Sequence, residues 1–536
     1  MRTGSRNDEW VGAMSASDIA AKVASGEVSA KDVVEAHIAR IEAVDGRLNA
    51  VVSRRFDEAR AEAALVDAAV ARGEKLGPLA GVPITIKEQF NVAGLPTTFG
   101  LPKRRNHIAA ADGPLVRRLR DAGAVVLGKT NVAQFLFYQE ADNPLYGRTS
   151  NPWNVKRSSG GGSGGEGAII AAGGSALGLA ADVGGSIRTP AHFCGIHGFR
   201  PTSWRLTNLD SPPEMFFPGF NEIALDPGPM ARHVADLALA MQVLAAPGLE
   251  RVDARIPPVP WPDPAAVRIE GMRVAMFDND GFWSASPALR RATQEAAAAL
   301  RLRGAVVDHV TPPEPEMAAK VYFSFMMADG FAWAAPQLKG NPLDGRIKMA
   351  RQIAKIPNRL KPPLAGLLSL LRQRHLAGTI MTSRSMAVKE YWSLAADRNR
   401  WRDAFVAMLD SDMGGASAAG GYDAILCPPH ALPALFHGGS KLLFDTTSYG
   451  IRFNDLGMPA GVVAATRVRE GEESDRRFSL DIVERAARKT EKGTVGLPVG
   501  VQVAARLWRD DIVLAVMAAL EGHFRQLPDY PENPPC

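Results

Sequence analysis

The sequence predicts an α/β fold: a single large domain with a mixed β-sheet core and helices on both sides. Short apolar runs typical of strands alternate with amphipathic helical patterns along the whole chain. No composition break, linker or fixed-period repeat interrupts this alternation. The 536 residues, 46% of them hydrophobic, are enough to bury a large core. Length alone would suggest several domains, but the uninterrupted alternation favours one domain over residues 1–536.

The individual elements follow from capping residues and apolar spacing. Ser29 and Asp32 form an N-cap pair that begins a helix reaching residue 44, and an Ala-rich helix follows over 56–72. Buried strands are predicted at 82–86 and 124–127. The later patterns predict a helix opened by residues 228–231 with its apolar face at 234–244, strands at 274–277 and 425–427, a helix-rich region at 310–400, β-runs after 457–460 and 496–499, and a closing helix at 511–524.

Charge and cysteine content exclude several classes of function. The net charge of +5 is too small over this length to indicate a nucleic-acid partner. Cys194, Cys427 and Cys536 are far apart, which indicates neither a disulfide framework nor a metal site and favours a reducing compartment. The first ten residues lack the apolar core of a signal peptide, and no run is apolar enough to span a bilayer. We therefore expect a cytoplasmic protein without a metal.

A stretch dense in glycine and serine runs from Ser158 to Ile196. Its glycines allow backbone N–H groups to point into a cavity, and its serines are candidate nucleophiles. Residues 160–165 match a GxGxxG dinucleotide fingerprint, and residues 161–165 match a GxSxG nucleophile elbow. Both motifs require a preceding strand, which this sequence lacks. A flexible linker is also excluded, because the stretch continues into the apolar sequence EGAIIAAGGSALGL.

Two other positions each allow a structural and a functional interpretation. Lys87 directly follows the apolar run 82–86. It is either a strand end that reaches solvent or a desolvated amine whose lowered pKa makes it a base. The bulky patch at residues 135–138 precedes a turn-rich region and is either core packing or the wall of a pocket. Spacing alone favours the structural interpretation at both positions.

Several long motifs carry a resemblance to a known family. They are GVPITIKE around Lys87, GGGSGGEGA within the glycine-serine stretch, and DVGGSIRTPAHFCGIHGFRPT at its end. With GPMARHVADLA and GLPVGVQVA, they resemble the amidase signature family over nearly the whole chain. The fatty acid amide hydrolase branch is the most similar. The resemblance implies a serine hydrolase that cleaves carboxylic amide C–N bonds without a cofactor.

The resemblance also implies roles for individual residues. Ser186 matches the nucleophile and Lys87 the base of a Ser–cis-Ser–Lys triad. The family's oxyanion hole is matched by the backbone N–H groups of Val183, Gly184, Gly185 and Ser186. This chemistry is self-consistent, because a serine nucleophile needs a base and a neutral lysine in a dry site can supply one. Glycines before the serine free N–H groups to stabilise the tetrahedral oxyanion.

One position departs from the family pattern. The relay serine of the triad lies 24 residues before the nucleophile, and 186 − 24 gives position 162, which is Gly162 here. Ser163 occupies the place of the second serine. Making Ser163 the relay would need a one-residue deletion in the following helix, which would rotate its faces by about 100°. Three consequences stay open: a water carries the proton, Ser163 swings in, or the chain is catalytically crippled, naturally or by deliberate substitution.

The region 310–400 is interpreted as a helical insert that acts as a cap or substrate lid. Within it, residues 346–376 interleave leucine and isoleucine with arginine and lysine. This pattern is typical of a surface helix pair, or of an amphipathic segment that lies on a membrane or covers an acyl pocket. Leu136, Phe137 and Tyr138 match positions that line the acyl pocket in the fatty acid amide hydrolase branch. We expect Phe216 and Phe217 to close this pocket.

The expected substrate is a small amide with an apolar acyl group, either fatty-acyl or aryl, and the same acyl-enzyme would serve esters and carbamates. Two alternatives stay open. One is a transamidating subunit that acts on charged tRNA with a partner. The other is a weakly active or non-catalytic protein on the same fold, because of Gly162. Reversible, peripheral membrane contact through residues 346–376 and a homodimer are the remaining expectations.

Overall fold

The computed structural model describes residues 14–215, 219–410 and 421–536. Its strands are β1 (Val51–Arg54), β2 (Pro83–Lys87), β3 (Val125–Thr130), β4 (Asp142–Asn143), β5 (Gly147–Arg148), β6 (Leu177–Asp182), β7 (His197–Arg200), β8 (Asp226–Ala231), β9 (Arg273–Met276), β10 (Val306–His309), β11 (Ala424–Cys427), β12 (Ala460–Arg467) and β13 (Pro498–Ala505). Within these ranges, eleven strands form one sheet in the order β1-β3-β2-β6-β8-β7-β12-β13-β11-β9-β10. The pairs β2/β3 and β2/β6 are parallel, whereas β6/β8 and β12/β13 are antiparallel.

Helices flank this sheet. In chain order they are α1 (Ala16–Ala24), α2 (Ala30–Leu48), α3 (Phe56–Ala71), α4 (Pro114–Asp121), α5 (Gly164–Ala171), α6 (Arg188–Cys194), α7 (Val234–Leu244), α8 (Pro287–Leu302), α9 (Met317–Met326), α10 (Ala335–Leu338), α11 (Gly345–Ala354), α12 (Lys361–Leu370), α13 (Arg374–Thr382), α14 (Val388–Asp410), α15 (Ser448–Leu456), α16 (Ile482–Glu491) and α17 (Asp510–Phe524). The predicted α/β class, with a mixed sheet in a single domain, is confirmed.

Several predicted elements agree closely with the structure. The Ser29 hydroxyl accepts a hydrogen bond from the Asp32 N–H at 3.0 Å and begins α2, as the N-cap pair predicts. The Ala-rich helix is α3, the closing helix is α17, and the strand at 82–86 is β2. Local capping and periodicity were sufficient to locate these elements.

The predicted helix opening at 228–231 is wrong. Residues Asp226–Ala231 form β8, which lies between β6 and β7, and the helix begins only at Val234. Two prolines in DPGPMA cannot donate to a strand ladder, which is why the segment resembled a helix start. A Cβ at Gly228 would lie 2.1 Å from the Phe199 carbonyl oxygen, so a bare glycine allows the close strand contact.

The region 310–400 contains helices α9 to α14. Some of the apolar residues of this region are buried against one another: Ala365, Ala377 and Ile380 form a small cluster. Leu370 and Leu371 instead are 80% and 57% exposed. Across the described ranges, no helix combines the length and the apolar character needed to cross a membrane.

Candidate active site

A buried ion pair holds the loop that carries the predicted nucleophile. Ser186 lies between β6 and α6 and is 9% exposed, toward a cavity. The Asp182 carboxylate accepts hydrogen bonds from the N–H groups of Gly185 (2.7 Å) and Ile187 (3.0 Å). The same carboxylate pairs with the Arg188 guanidinium at 3.0 Å, and neither side chain is exposed. Asp182 therefore holds the backbone of the Ser186 loop in place through two hydrogen bonds.

Arg188 extends this network to neighbouring elements. Its guanidinium donates to the Gly450 carbonyl oxygen, to Gln502 Oε1 and to Asn454 Oδ1. Burial alone would raise the pKa of the Asp182 carboxyl, but the Arg188 charge and hydrogen bonds hold that pKa below its usual range. Asp182 is thus an anion that anchors the loop and does not exchange protons near neutral pH.

The backbone N–H groups predicted to form the oxyanion hole are not equivalent. The Gly185 N–H is already donated to Asp182. Within the described residues, no hydrogen bond engages the N–H groups of Val183, Gly184 or Ser186. Gly185 has a φ of 100°, a backbone conformation that residues other than glycine rarely adopt. The loop therefore offers three unengaged donors beside the Ser186 hydroxyl, where the resemblance implied four.

Lys87 is a buried amine. It is the last residue of β2 and is 1% exposed, so its interpretation as a strand end in solvent is wrong. Lys87 Nζ donates to the Ala181 carbonyl oxygen at 2.9 Å. Burial lowers the pKa of Lys87 to about 7, because the charges of Asp182 and Glu166 offset only part of the lost hydration. Much of the population is therefore neutral at physiological pH and can accept a proton.

Glu166, in the first turn of α5, lies in the same buried region. Its carboxyl accepts hydrogen bonds from Thr85 Oγ1 (2.5 Å) and Thr130 Oγ1 (2.8 Å). Burial raises the pKa of Glu166 to about 8, against the lowering effect of these hydroxyls and of Lys87. A Glu166 carboxyl that is largely protonated at neutral pH favours the charged form of Lys87 less than the Asp182 carboxylate does.

Gly162 lies at the meeting point of the predicted nucleophile and base. An ideal Cβ built on Gly162 would lie 3.0 Å from Ser186 Oγ and 3.3 Å from Lys87 Nζ. A hydroxyl attached there would reach both groups. In its absence, the Gly162 N–H donates to Ser186 Oγ at 3.3 Å. The structure therefore places Gly162 between the predicted nucleophile and the predicted base.

Ser163 is turned away from the nucleophile. Its hydroxyl donates to the Ala181 carbonyl oxygen at 3.4 Å, the same oxygen that accepts from Lys87. No hydrogen bond joins Ser163 to Ser186 in the part of the chain described. Ser163 therefore does not connect Ser186 to Lys87 in this structure.

An apolar cavity of about 110 Å³ opens beside Ser186. The predicted pocket residues Leu136, Phe137 and Tyr138 line it, so the structure brings the bulky patch to the nucleophile. The patch is turned by unusual backbone, since Leu136 has a φ of 56°. The cavity is also lined by flexible and aromatic side chains that include Tyr322, Phe323, Met326, Met327, Met349 and Ile353.

A wider groove of about 780 Å³ adjoins this cavity. The two share Phe323, Thr379, Thr382 and Phe444 along their walls. The predicted closure by Phe216 and Phe217 lies outside the described residues. Sequence reasoning missed the cavity residues of α9, because single tyrosines and methionines in a helical region form no motif. For α11 it predicted only that the 346–376 segment covers an acyl pocket or lies on a surface, without naming the lining residues.

Comparison with known proteins identifies the family to which the chain belongs. A family model described as Amidase matches residues 32–514. Fatty-acid amide hydrolase 1 of Sus scrofa is 32% identical over 508 residues, which cover 93% of this chain and 84% of that protein. A solved fatty acid amide hydrolase has a TM-score of 0.80 at 26% identity, covering 96% of this chain and 86% of that one. A bacterial aryl acylamidase has a TM-score of 0.75 at 25% identity, covering 98% and 100%.

These matches define one class of protein, a hydrolase family whose α/β fold extends over most of the chain. The chain belongs to the amidase family, and the predicted resemblance is confirmed. It is a hydrolase that acts on carbon–nitrogen bonds other than peptide bonds, as the resemblance implied.

Proposed function

We propose that this amidase hydrolyses carboxylic amides through an acyl-enzyme on Ser186, with Lys87 as the general base. One observation carries the proposal. Ser186 Oγ and Lys87 Nζ both lie within 3.3 Å of the Cβ position of Gly162, so nucleophile and base face the same small space. The lowered pKa of Lys87, about 7, supports its role, because only the neutral amine accepts a proton.

The reaction then proceeds in two halves. A water beside Gly162 carries the Ser186 proton to Lys87 while Oγ attacks the carbonyl carbon. The N–H groups of Val183, Gly184 and Ser186 stabilise the negative charge on the carbonyl oxygen. The protonated Lys87 returns its proton to the leaving amine as the C–N bond breaks. Water then attacks the acyl carbon of the ester and loses a proton to Lys87. The bond between that carbon and Ser186 Oγ breaks, Lys87 returns the proton to Oγ, and the carboxylic acid leaves.

The cavity favours an uncharged, apolar acyl group. Its lining by Leu136, Phe137 and methionine side chains offers no charge to a substrate carboxylate or ammonium. A volume of about 110 Å³ suits an aryl or short acyl group directly. A fatty acyl chain needs more room, which rotation of Met326, Met327 and Met349 can provide. The names of the relatives, fatty acid amide hydrolase and aryl acylamidase, agree with these two classes.

Peripheral membrane contact through residues 346–376 is part of the same proposal. Leu367, Leu370 and Leu371 are all more than half exposed, and Arg359 and Arg372 flank them. Apolar side chains between basic ones are typical of segments that lie at a lipid surface.

We further propose a cytoplasmic location, which the three free thiols of Cys194, Cys427 and Cys536 support.

A fluorophosphonate probe tests the proposal, because it reacts covalently with an activated serine. We expect the purified chain alone to be labelled, and Ser186→Ala to lose the label. The labelling rate should rise with pH and level off above about 7, as Lys87 loses its proton. The matched control is Ser25→Ala, which removes an exposed hydroxyl at the end of α1. Label that persists in Ser186→Ala, or an unlabelled wild type, would refute the proposal.

A further inference from the structure

Tyr322 brings a phenol hydroxyl to the loop that carries Ser186. It lies on α9, the first helix of the 310–400 region. An ideal Cβ built on Gly184 would lie 2.2 Å from Tyr322 Oη and 2.6 Å from Cζ. The hydroxyl therefore sits directly against Gly184, and only glycine leaves room for it. Tyr322 lines the same cavity as Val183, Gly184 and Ser186.

The hydroxyl of Tyr322 is unengaged, which sets it apart from the other tyrosines. No hydrogen bond to it occurs within the described residues, although the residue is 9% exposed. The hydroxyls that do have a partner are those of Tyr138 with the Arg346 carbonyl, Tyr146 with Thr98, Tyr391 with Glu222, Tyr422 with Asp308, Tyr449 with the Trp283 carbonyl, and Tyr530 with His197. Because Tyr322 lines the cavity beside Ser186, its unengaged hydroxyl is available to a ligand bound there.

We propose that the Tyr322 hydroxyl donates a hydrogen bond to the carbonyl oxygen of the amide substrate, alongside the backbone N–H groups of the Ser186 loop. The inference rests on the proposed function. The hydroxyl lies against Gly184, in the same loop whose N–H groups at Val183, Gly184 and Ser186 have no hydrogen bond within the described residues. A preorganised donor at this point stabilises the oxyanion more than the ground-state carbonyl, and so accelerates the reaction.

The electrostatic surroundings of Tyr322 favour this role over that of an acid. Burial raises the pKa of the Tyr322 phenol above its usual range, and the charges of Asp455 and Asp182 act in the same direction. The phenol therefore keeps its proton throughout the working pH range. Because the phenol stays protonated, it can donate a hydrogen bond, but it is a poor source of protons for a leaving amine.

Tyr322→Phe tests the inference, since it removes the hydroxyl and keeps the ring against Gly184. We expect kcat to fall roughly 10²-fold, the usual cost of one oxyanion donor, with KM changed less than about threefold. The loss should be similar for an aryl amide and the ester of the same acid, because both form the same oxyanion. Tyr422→Phe, which removes a hydroxyl that contacts Asp308 beside β11, is the matched control.

The measurement is made in the wild type and in Gly162→Ser, so that slow proton transfer does not hide a change at the carbonyl. Unchanged kcat in Tyr322→Phe would overturn the role of Tyr322 and leave the Ser186 mechanism standing. So would a loss confined to the amide, or a loss that accompanies a lowered thermal midpoint. Absence of any Ser186-dependent turnover in both backgrounds would overturn the proposed function, and this inference with it.

Discussion

At the residue scale, Gly162 lies where one hydroxyl group would connect the predicted nucleophile to the predicted base. We expect Gly162→Ser to raise the amide hydrolysis rate by roughly 10²-fold, the lower end of what positioned proton transfer contributes. The new Cβ would lie 3.0 Å from Ser186 Oγ, so that hydroxyl must move by a few tenths of an ångström. Steady-state kinetics with an aryl amide measure the change.

Gly162→Ala is the matched control for this substitution. It adds the same Cβ beside Lys87 and Ser186 without a hydroxyl, so it should leave the rate unchanged or lower it. An equal gain in the alanine and serine variants would mean that filling the space matters and proton relay does not. A serine variant no faster than the wild type would contradict the relay position.

The sequence identified some site residues and could not identify others, for physical reasons. Ser186 and Lys87 stand in long motifs, but the burial that lowers the pKa of Lys87 depends on strands that pair with β2 from distant parts of the chain. The use of the Gly185 N–H by Asp182 depends on a side-chain rotamer that no motif encodes. Tyr322 is a single residue in a helical pattern, and only tertiary packing brings it to Gly184.

At the element scale, the exposed leucines at the end of α12 make the membrane proposal testable. We expect Leu370→Ser combined with Leu371→Ser to weaken binding to vesicles of phosphatidylcholine and phosphatidylserine severalfold, because it removes apolar area from the contact. Hydrolysis of a water-soluble aryl amide should not change, because neither residue lines the cavity. Vesicle cosedimentation and the same kinetic assay measure the two effects.

Leu302→Ser provides the comparison, since this leucine is 83% exposed on α8 and lies outside the 346–376 segment. It should leave vesicle binding unchanged. Equal losses in the α8 and α12 variants would indicate nonspecific adhesion, and no loss in either would contradict the proposed contact.

The strand β8 illustrates where element prediction failed. The sequence DPGPMA has neither alternating apolar residues nor β-branched ones, and its prolines resemble a helix start. Its strand conformation comes from pairing with β6 and β7 on either side. By contrast, α2 and α3 were predicted well, because caps and periodicity are local signals.

At the scale of the whole molecule, Arg188 links the Ser186 loop to α15 and β13. We expect Arg188→Met to reduce the free energy of unfolding by about 3–5 kcal/mol, because it leaves the Asp182 carboxylate buried without its partner. Urea denaturation at pH 7 measures the change. The loss should shrink at acidic pH, since the depressed pKa of Asp182 contributes stability only while the carboxyl is ionised.

Arg268→Met is the control for this measurement. It breaks an ion pair with Glu270 in which both side chains are more than 70% exposed, and such pairs contribute little. A similar small change in both variants would show that the Arg188 network does not stabilise the fold.

The single-domain architecture was predictable because the alternation of strands and helices continues without a linker. The order of the strands was not predictable, since paired strands can be far apart in the sequence. β7, for example, ends at Arg200 and its neighbour β12 begins at Ala460. Crossovers of this length leave no local trace in the sequence.

The space beside Gly162 also bears on how many mutations separate this chain from an amidase with a complete triad. Glycine and serine codons can differ by a single base. A Cβ at position 162 meets the ends of Ser186 and Lys87, and the Asp182–Arg188 anchor holds the loop without it. A lineage can therefore lose or regain the relay hydroxyl in one mutational step, with the fold and the cavity already in place to be selected upon.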